Sequence, residues 1–261
     1  SLFELVILFF ARTCNIQEST QRSTLMTPSE AIYRHPTSME PLFPTSDRVR
    51  LAELSVRIFQ KSGELQASLP SRWARVELAK LMRAMNSYYS NWIEGHKTLP
   101  KDIEMALKQD FSESPEDRRN QKLSVAHILA EKTMREWMDS ESPPNVYSEA
   151  FIRGLHREFY SHMPQEEWVT LSTSGKSYPL VPGEIRTYNV DVHRHTPPDH
   201  TSLDLFLSRF ESFYSGKEIL ATDALIAAAA AHHRLAWIHP FGDGNGRVAR
   251  LHSQAALIAA G

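Results

Sequence analysis

From Ser46 onward, apolar residues return every three or four positions, the spacing of a helix that buries one face. This period predicts helices over residues 46–66, 72–94, 101–109, 115–139, 148–163, 202–215 and 222–237, with another over 248–260. Pro70, Pro100, Pro143, Pro144 and Pro198 fall between them, as suits a residue without the amide proton that a helix interior uses. The stretch from Ala224 to Ala236 carries small side chains on every face, which predicts a buried central helix, and 248–260 supplies its partner. Residues 72–93 read as an amphipathic helix, with Val76, Leu78, Leu81, Met82, Met85, Tyr89 and Trp92 at helical spacing and Gly95 as its stop. Between 178 and 192 the pattern changes. Apolar and polar residues alternate from Tyr188 to Val192, which predicts a short strand pair or flap turning at Pro182 and Gly183. The fold class is therefore mostly α, a helical bundle with a small β-hairpin flap.

The segments before Ser46 follow different rules. Leu5 to Ala11 is strongly apolar but far shorter than the roughly 20 residues of a membrane span, so no membrane partner is expected. Glu4 in place of a basic flank and the absence of a starting Met argue against an intact signal peptide. Residues 26–45, rich in Pro, Ser and Thr, read as a linker, which makes 1–45 an N-terminal extension or poorly structured arm. A helical region over 46–112 and a core over 113–261 complete the expected organisation. The formal net charge of −2 offers no basic field for nucleic acid, so a protein partner is expected instead. The single cysteine, Cys14, excludes an internal disulfide and suits a reducing, cytoplasmic setting.

The candidate chemistry is concentrated in one string, Ile238 to Arg250, at the junction of the two central helices. Gly242, Gly244 and Gly246 alternate with Asp243 and Asn245. Glycines so placed turn successive backbone N–H groups toward one point, an anion-binding nest at a helix start. His239 is a candidate general base, Asp243 a candidate Mg²⁺ ligand, and Gly244, Asn245 and Gly246 candidate phosphate-binding amides. Arg247 and Arg250, three residues apart on one helix face, offer planar forks for outer phosphate oxygens. A plain turn would also use such a composition. A calcium loop starting at Asp243 fails because Val248 stands where that loop needs Gly and Gln254 where it needs Glu. A Walker A loop fails for want of Gly-Lys-Ser/Thr. His232, His233, His239 and His252 do not read as a transition-metal cluster. His232 reads as a polar core residue, and His193, His195 and His200 as solvent-facing.

His-Pro-Phe-Gly-Asp-Gly-Asn-Gly-Arg-Val-Ala-Arg, His239 to Arg250, resembles the signature H-P-F-x-[DE]-G-N-G-R-x-x-R of the Fic family with no mismatch. The resemblance implies a Fic-fold helical bundle and transfer of AMP from ATP to a Tyr, Ser or Thr hydroxyl of a target protein. It implies His239 as the base, Asp243 as the Mg²⁺ ligand, Gly244, Asn245 and Gly246 as the anion hole, and Arg247 and Arg250 on the β- and γ-phosphates. Phe241 reads as a core anchor. A related branch that phosphorylates has a bulkier residue in place of Gly246 and Lys in place of Arg247, so the resemblance favours AMP transfer.

Upstream, Ser90-x-x-x-Glu94-Gly95 is similar to the inhibitory motif [ST]-x-x-x-E-[GN] of Fic proteins, in the class with an N-terminal inhibitory helix, here about 72–95. The resemblance implies that Glu94 pairs with Arg250 and displaces the γ-phosphate; the plain alternative is an ordinary helix end. Gly183-Glu184-Ile185-Arg186 resembles the element before the Fic target-binding flap, which would place Gly183, Arg186, Thr187, Tyr188, Asn189 and Val190 against the target backbone. A surface hairpin without a binding role is the alternative. Eleven residues follow Arg250, whereas Fic cores continue through further helices, so a core cut short at its C-terminus is expected. The sequence reading is thus an autoinhibited, Mg²⁺-dependent protein adenylyltransferase, with automodification and a homodimer as further options. Its rivals are removal of AMP from a modified target, a catalytically idle nucleotide-binding or scaffold module, and UMP or another donor in place of AMP.

Overall fold

The computed structural model describes residues 33–69, 71–171, 177–192, 195–216 and 221–260. Its helices are α1 (Arg48–Ser68), α2 (Arg72–Ile93), α3 (Pro100–Leu107), α4 (Pro115–Met138), α5 (Glu149–Ser161), α6 (Leu203–Tyr214), α7 (Ala221–Ile238) and α8 (Asn245–Ala260). Each predicted helix is present, displaced by at most a few residues at its ends. Side-chain caps set several starts: Ser71 Oγ accepts from the Ala74 N–H, Ser114 Oγ from Asp117 and Ser148 Oγ from Phe151. At α4 the cap is followed by Pro115, whose missing amide costs nothing in a first turn.

The centre is the α7–α8 pair, joined by the loop 239–244, with α4, α5 and α6 around it. Ala227, Ala228, Ala231, Ala249, Ala255 and Ala256 are buried, and their small side chains let the two helices approach closely. Leu155, Phe159, Leu203, Phe206, Phe210, Leu235, Phe241 and Leu251 fill the surrounding core. Each such side chain contributes about 2 kcal/mol on removal from water.

The strand pair differs from expectation in position. Val169–Leu171 (β1) pairs antiparallel with Ser177–Pro179 (β2), in register Thr170 to Tyr178. Residues 188–191 form no ladder, and beyond them there is one isolated bridge, Val192 to His195. Within that stretch Arg186 Nη1 takes the Tyr188 carbonyl at 2.8 Å. Pro182 and Gly183 do form the turn, Gly183 having φ +82°.

Two further expectations need correction. Within the expected arm 1–45, the described residues from Tyr33 on pack against the bundle: Met39 and Leu42 are fully buried, the Tyr214 hydroxyl donates to the Leu42 carbonyl, and Arg209 pairs with Glu40 at 2.6 Å. Two apolar anchors between prolines and serines are too few to show as a period. Cys14 and the apolar run 5–11 lie outside the described residues, as does His193. His195, expected in solvent, is half-buried and binds the Trp237 carbonyl at 2.8 Å. His232 is buried and joins the Ala249 carbonyl and Ser253 Oγ, a polar core role.

Helix α2 is turned the opposite way from an ordinary amphipathic helix. Its face toward α4 carries Asn86, Ser87, Ser90 and Asn91, all buried, while Trp73, Val76, Leu81, Trp92 and Ile93 are exposed. The seam is held by hydrogen bonds: Asn86 Nδ2 to Glu131 Oε2, Ser87 Oγ to the Ser124 carbonyl, and Asn91 Nδ2 to Ser124 Oγ. Asn86 Oδ1, Asn91 Oδ1 and both ring nitrogens of His127 are buried there without a protein partner. No helix among the described residues is long and apolar enough to cross a membrane.

Candidate active site

The loop between α7 and α8 is fastened from within by side chains that face away from solvent. Asn245 Oδ1 accepts from the Phe241 N–H at 2.9 Å and its Nδ2 donates to the Phe241 carbonyl at 2.9 Å, a reciprocal pair that closes the turn. Its side chain is thereby consumed, so only its backbone amide can face a ligand. Phe241, 1% exposed, stacks on the His156 ring at 4.0 Å and 14°. Gly244 has φ +77°, and a Cβ there would meet Tyr160 Cε2 at 2.9 Å, so both conformation and space require glycine.

His239 also stands in the left-handed region, φ +51°, at the break after α7. Its Nδ1 lies 3.2 Å from the Ala236 carbonyl, which can only accept. The ring proton of the neutral form therefore sits on Nδ1, and Nε2 keeps a free lone pair. Burial, with help from the Arg186 and His195 charges and against the Ala236 carbonyl, pushes the imidazole down to about 4, so it is uncharged at neutral pH.

Asp243 projects outward with half its side chain exposed. Its Oδ2 accepts from the Tyr160 hydroxyl at 2.7 Å and from Arg247 Nη2 at 3.0 Å. Burial would raise its carboxyl; Arg247, Tyr160 and the Gly244 amide outweigh burial and hold it at about 2. Arg247 is buried, lies over the Phe159 ring at 5.0 Å, and keeps its Nε–H without a protein partner.

Glu94 is the C-cap of α2, where a helix dipole disfavours a carboxylate. Gly95, φ +85°, ends the helix, and the His96 N–H returns to the Asn91 carbonyl at 2.9 Å. Arg250 compensates the charge: its Nη2 donates to Glu94 Oε1 at 2.6 Å and to the Ser90 carbonyl at 3.1 Å, and its Nε to Ser90 Oγ at 2.8 Å. Burial raises the Glu94 carboxyl, but the Arg250 charge and hydrogen bond outweigh it, and the net shift is downward. A Cβ on Gly246 would run into Glu94 Oε1, so this carboxylate occupies the space directly over the start of α8. Ser90, Glu94, Gly246 and Arg250 thus meet at one point, although 156 residues separate Glu94 from Arg250, while Gly95 lies beside them as the helix stop.

The flap residues divide by role. Arg186 is buried and uses its whole fork on backbone carbonyls: Nε on His239 at 2.9 Å, Nη1 on Tyr188 at 2.8 Å and Nη2 on Pro198 at 2.7 Å. It fastens the loop that carries His239 with three of its five N–H donors. Gly183 is packed beneath Arg157 and Arg153 and gives its N–H to His156 Nδ1 at 2.7 Å. Thr187 is exposed; Tyr188 stacks on Tyr178 at 3.9 Å; Asn189 Oδ1 accepts from the His200 amide; Val190 is half-buried. Sequence reasoning missed His156 and Tyr160, which lie 87 and 83 residues from Asp243. Their signal was two polar aromatic residues one turn apart on the buried face of α5.

Comparison with known proteins agrees with this architecture. Residues 146–257 match the Fic/DOC family profile. Over 83 residues the chain is 40% identical to a protein from Aedes aegypti named protein adenylyltransferase Fic, and over 87 residues 38% identical to one of the same name from Nematostella vectensis. Those alignments take in 32% and 33% of this chain but only 17% and 20% of the relatives' own length. Among solved structures, a Fic domain containing signaling protein from Bacteroides thetaiotaomicron superposes with a TM-score of 0.60 at 23% identity, covering 81% of this chain and 73% of that one. Fic-1 from C. elegans gives 0.61 at 20% identity, covering 81% and 57%. The fold is therefore a Fic fold.

Proposed function

We propose that this chain is a protein adenylyltransferase that joins AMP from ATP to a hydroxyl of a target protein, held in check by Glu94. One observation carries the reading: the Arg250–Glu94 pair, with the carboxylate over Gly246, sits beside an uncharged His239 whose Nε2 is free. In the reaction, His239 Nε2 takes the proton of the target hydroxyl as its oxygen bonds to the α-phosphorus of ATP. The bond between the α-phosphorus and the α,β-bridging oxygen breaks, and pyrophosphate leaves. The amides of Gly244, Asn245 and Gly246 receive the phosphate oxygens, and Arg247 and Arg250 the outer charge. Thr187 to Val190 present an edge on which the target backbone is laid, and Arg186 keeps that edge in register with His239.

Asp243 fits a magnesium ion shared with phosphates. It is ionised, half-exposed and the only carboxylate in the loop, and the described residues contain no cluster of three or more ligating side chains. Such a site holds Mg²⁺ together with nucleotide and weakly without it. The ion supplies neutralisation of charge on the leaving phosphates.

Glu94 opposes this chemistry by occupying Arg250 and the space over Gly246. The test uses the parent chain, Glu94→Gly and Glu94→Gly/His239→Ala with Mg²⁺ and α-labelled ATP, read by mass spectrometry for a covalent AMP adduct. An adduct in Glu94→Gly, at least tenfold above the parent and lost in the double variant, is expected. Equal labelling of parent and Glu94→Gly would remove the restraint, and no adduct with ATP bound would remove the transferase reading.

A further inference from the structure

We propose that His156 is a positioning residue that aims the Gly244 amide at the phosphate site, and that the flap turn decides which way its imidazole acts. The inference rests on the phosphate-binding role given above to Gly244.

His156 is fully buried and touches none of the reacting groups. Its Nδ1 accepts the Gly183 N–H at 2.7 Å. An accepting nitrogen carries no proton, so the single proton of the neutral ring sits on Nε2. Nε2 lies 3.2 Å from the Asp243 carbonyl and donates to it. The other tautomer would set two N–H groups against each other at Gly183 and two lone pairs against each other at Asp243. In that buried position both contacts are unfavourable.

The consequence follows from peptide geometry. In a trans peptide the C=O and the next N–H point in opposite directions. With the Asp243 carbonyl turned inward to His156, the Gly244 N–H is turned outward. Gly244, with no Cβ and φ +77°, has little resistance of its own to rotation of that peptide. A rotated peptide would present a carbonyl oxygen to incoming phosphates and repel them. Asn245 does the same for the preceding turn, drawing the Phe241 carbonyl inward.

The flap enters through Gly183. Its carbonyl is held by Arg153 Nε at 2.7 Å, and Arg153 also pairs with Glu184 at 3.0 Å, so the turn is fixed to α5 on both sides. The polarity of one hydrogen-bonded line, Gly183 N–H to His156 to the Asp243 carbonyl, therefore links the target edge with the phosphate amides. His156 is where the two are joined.

The test uses the Glu94→Gly/His239→Ala chain, which on the proposed function binds nucleotide without turnover, with and without His156→Phe and His156→Gln. Phenylalanine keeps the stack on Phe241 and has neither nitrogen; the glutamine amide restores a donor. ATP and adenosine affinities are measured by calorimetry, and the His156 ring nitrogens by ¹⁵N NMR. The expected result is an ATP affinity at least tenfold weaker in His156→Phe with adenosine affinity unchanged, partial recovery in His156→Gln, and a ring protonated on Nε2. Equal ATP affinity in a folded His156→Phe chain overturns the proposal, as does a ring protonated on Nδ1. If His156→Phe does not fold, His156→Gln and the ¹⁵N pattern decide alone. If the background chain binds no ATP, the proposed function fails, while the nitrogen pattern still upholds or overturns the aiming of the peptide.

Discussion

On the proposed function, His239 owes its readiness as a base to neighbours that do not react: a carbonyl that claims Nδ1 and a burial that keeps the ring uncharged. Its pKa is lowered, so the base form persists on acidification and is lost only as pH falls through about 4, not through the ordinary 6.5. In the Glu94→Gly variant we expect the rate of adduct formation to stay level from pH 7 to about 5.5 and to drop below that; a tenfold drop already at pH 6 would contradict this placement of the proton. At this scale the loop was legible because glycines, an acid and two arginines crowd into one short string. His156 and Tyr160 were not, because a buried polar residue in a helix stripe looks the same whether it satisfies the core or supports a distant loop. Arg186 was read as a residue for the target, and only its three carbonyl partners reveal a fastening role.

Among the elements, α2 departs most from its sequence pattern. Its apolar residues have helical spacing, yet Asn86, Ser87, Ser90 and Asn91 are the ones driven inward, because Ser90 must reach Arg250 and the same face must continue along α4. A polar seam gives little net stability per hydrogen bond, about 1 kcal/mol, and each unsatisfied buried group costs about 1–3 kcal/mol. His127, whose ring nitrogens lack protein partners, is such a cost. Replacing it with a ring of similar shape, His127→Phe, should raise the melting temperature by about 2–4 °C, the scale of 1 kcal/mol in a chain of this size. A lowered melting temperature would show that the imidazole is satisfied after all. Helix positions were otherwise well predicted, since the period of three and four measures burial directly. The strand pair was not, because alternation reports a side-chain pattern and cannot reveal which backbone groups pair; in this stretch the Tyr188 carbonyl goes to Arg186.

For the molecule as a whole, the buried imidazoles set an acid limit. His127 and His252 are pushed down to about 3, His156 and His232 to about 4, in each case chiefly by burial. Their folded pKa values lie below the unfolded 6.5, so the unfolded chain binds protons that the native chain refuses, and stability falls as pH drops below 6.5. Each contributes up to about 1.4 kcal/mol per pH unit over that window, enough together to remove much of a typical domain's 5–15 kcal/mol. Denaturant midpoints should therefore decline steeply between pH 6.5 and 5; a flat profile would mean that these rings ionise in place. The fold class was open to the sequence because eight helices repeat one simple signal. The extent of the bundle was not, since the stretch around Met39 and Leu42 has no period at all. That stretch crosses α6 and α7 as a strap: Glu40 on Arg209, the Pro41 carbonyl on Arg234, Leu42 under Tyr214. A shortened version begun at the first predicted helix would lift this cover from the middle of the core. For anyone choosing where to cut the gene, the workable boundary lies before Tyr33 rather than at Ser46.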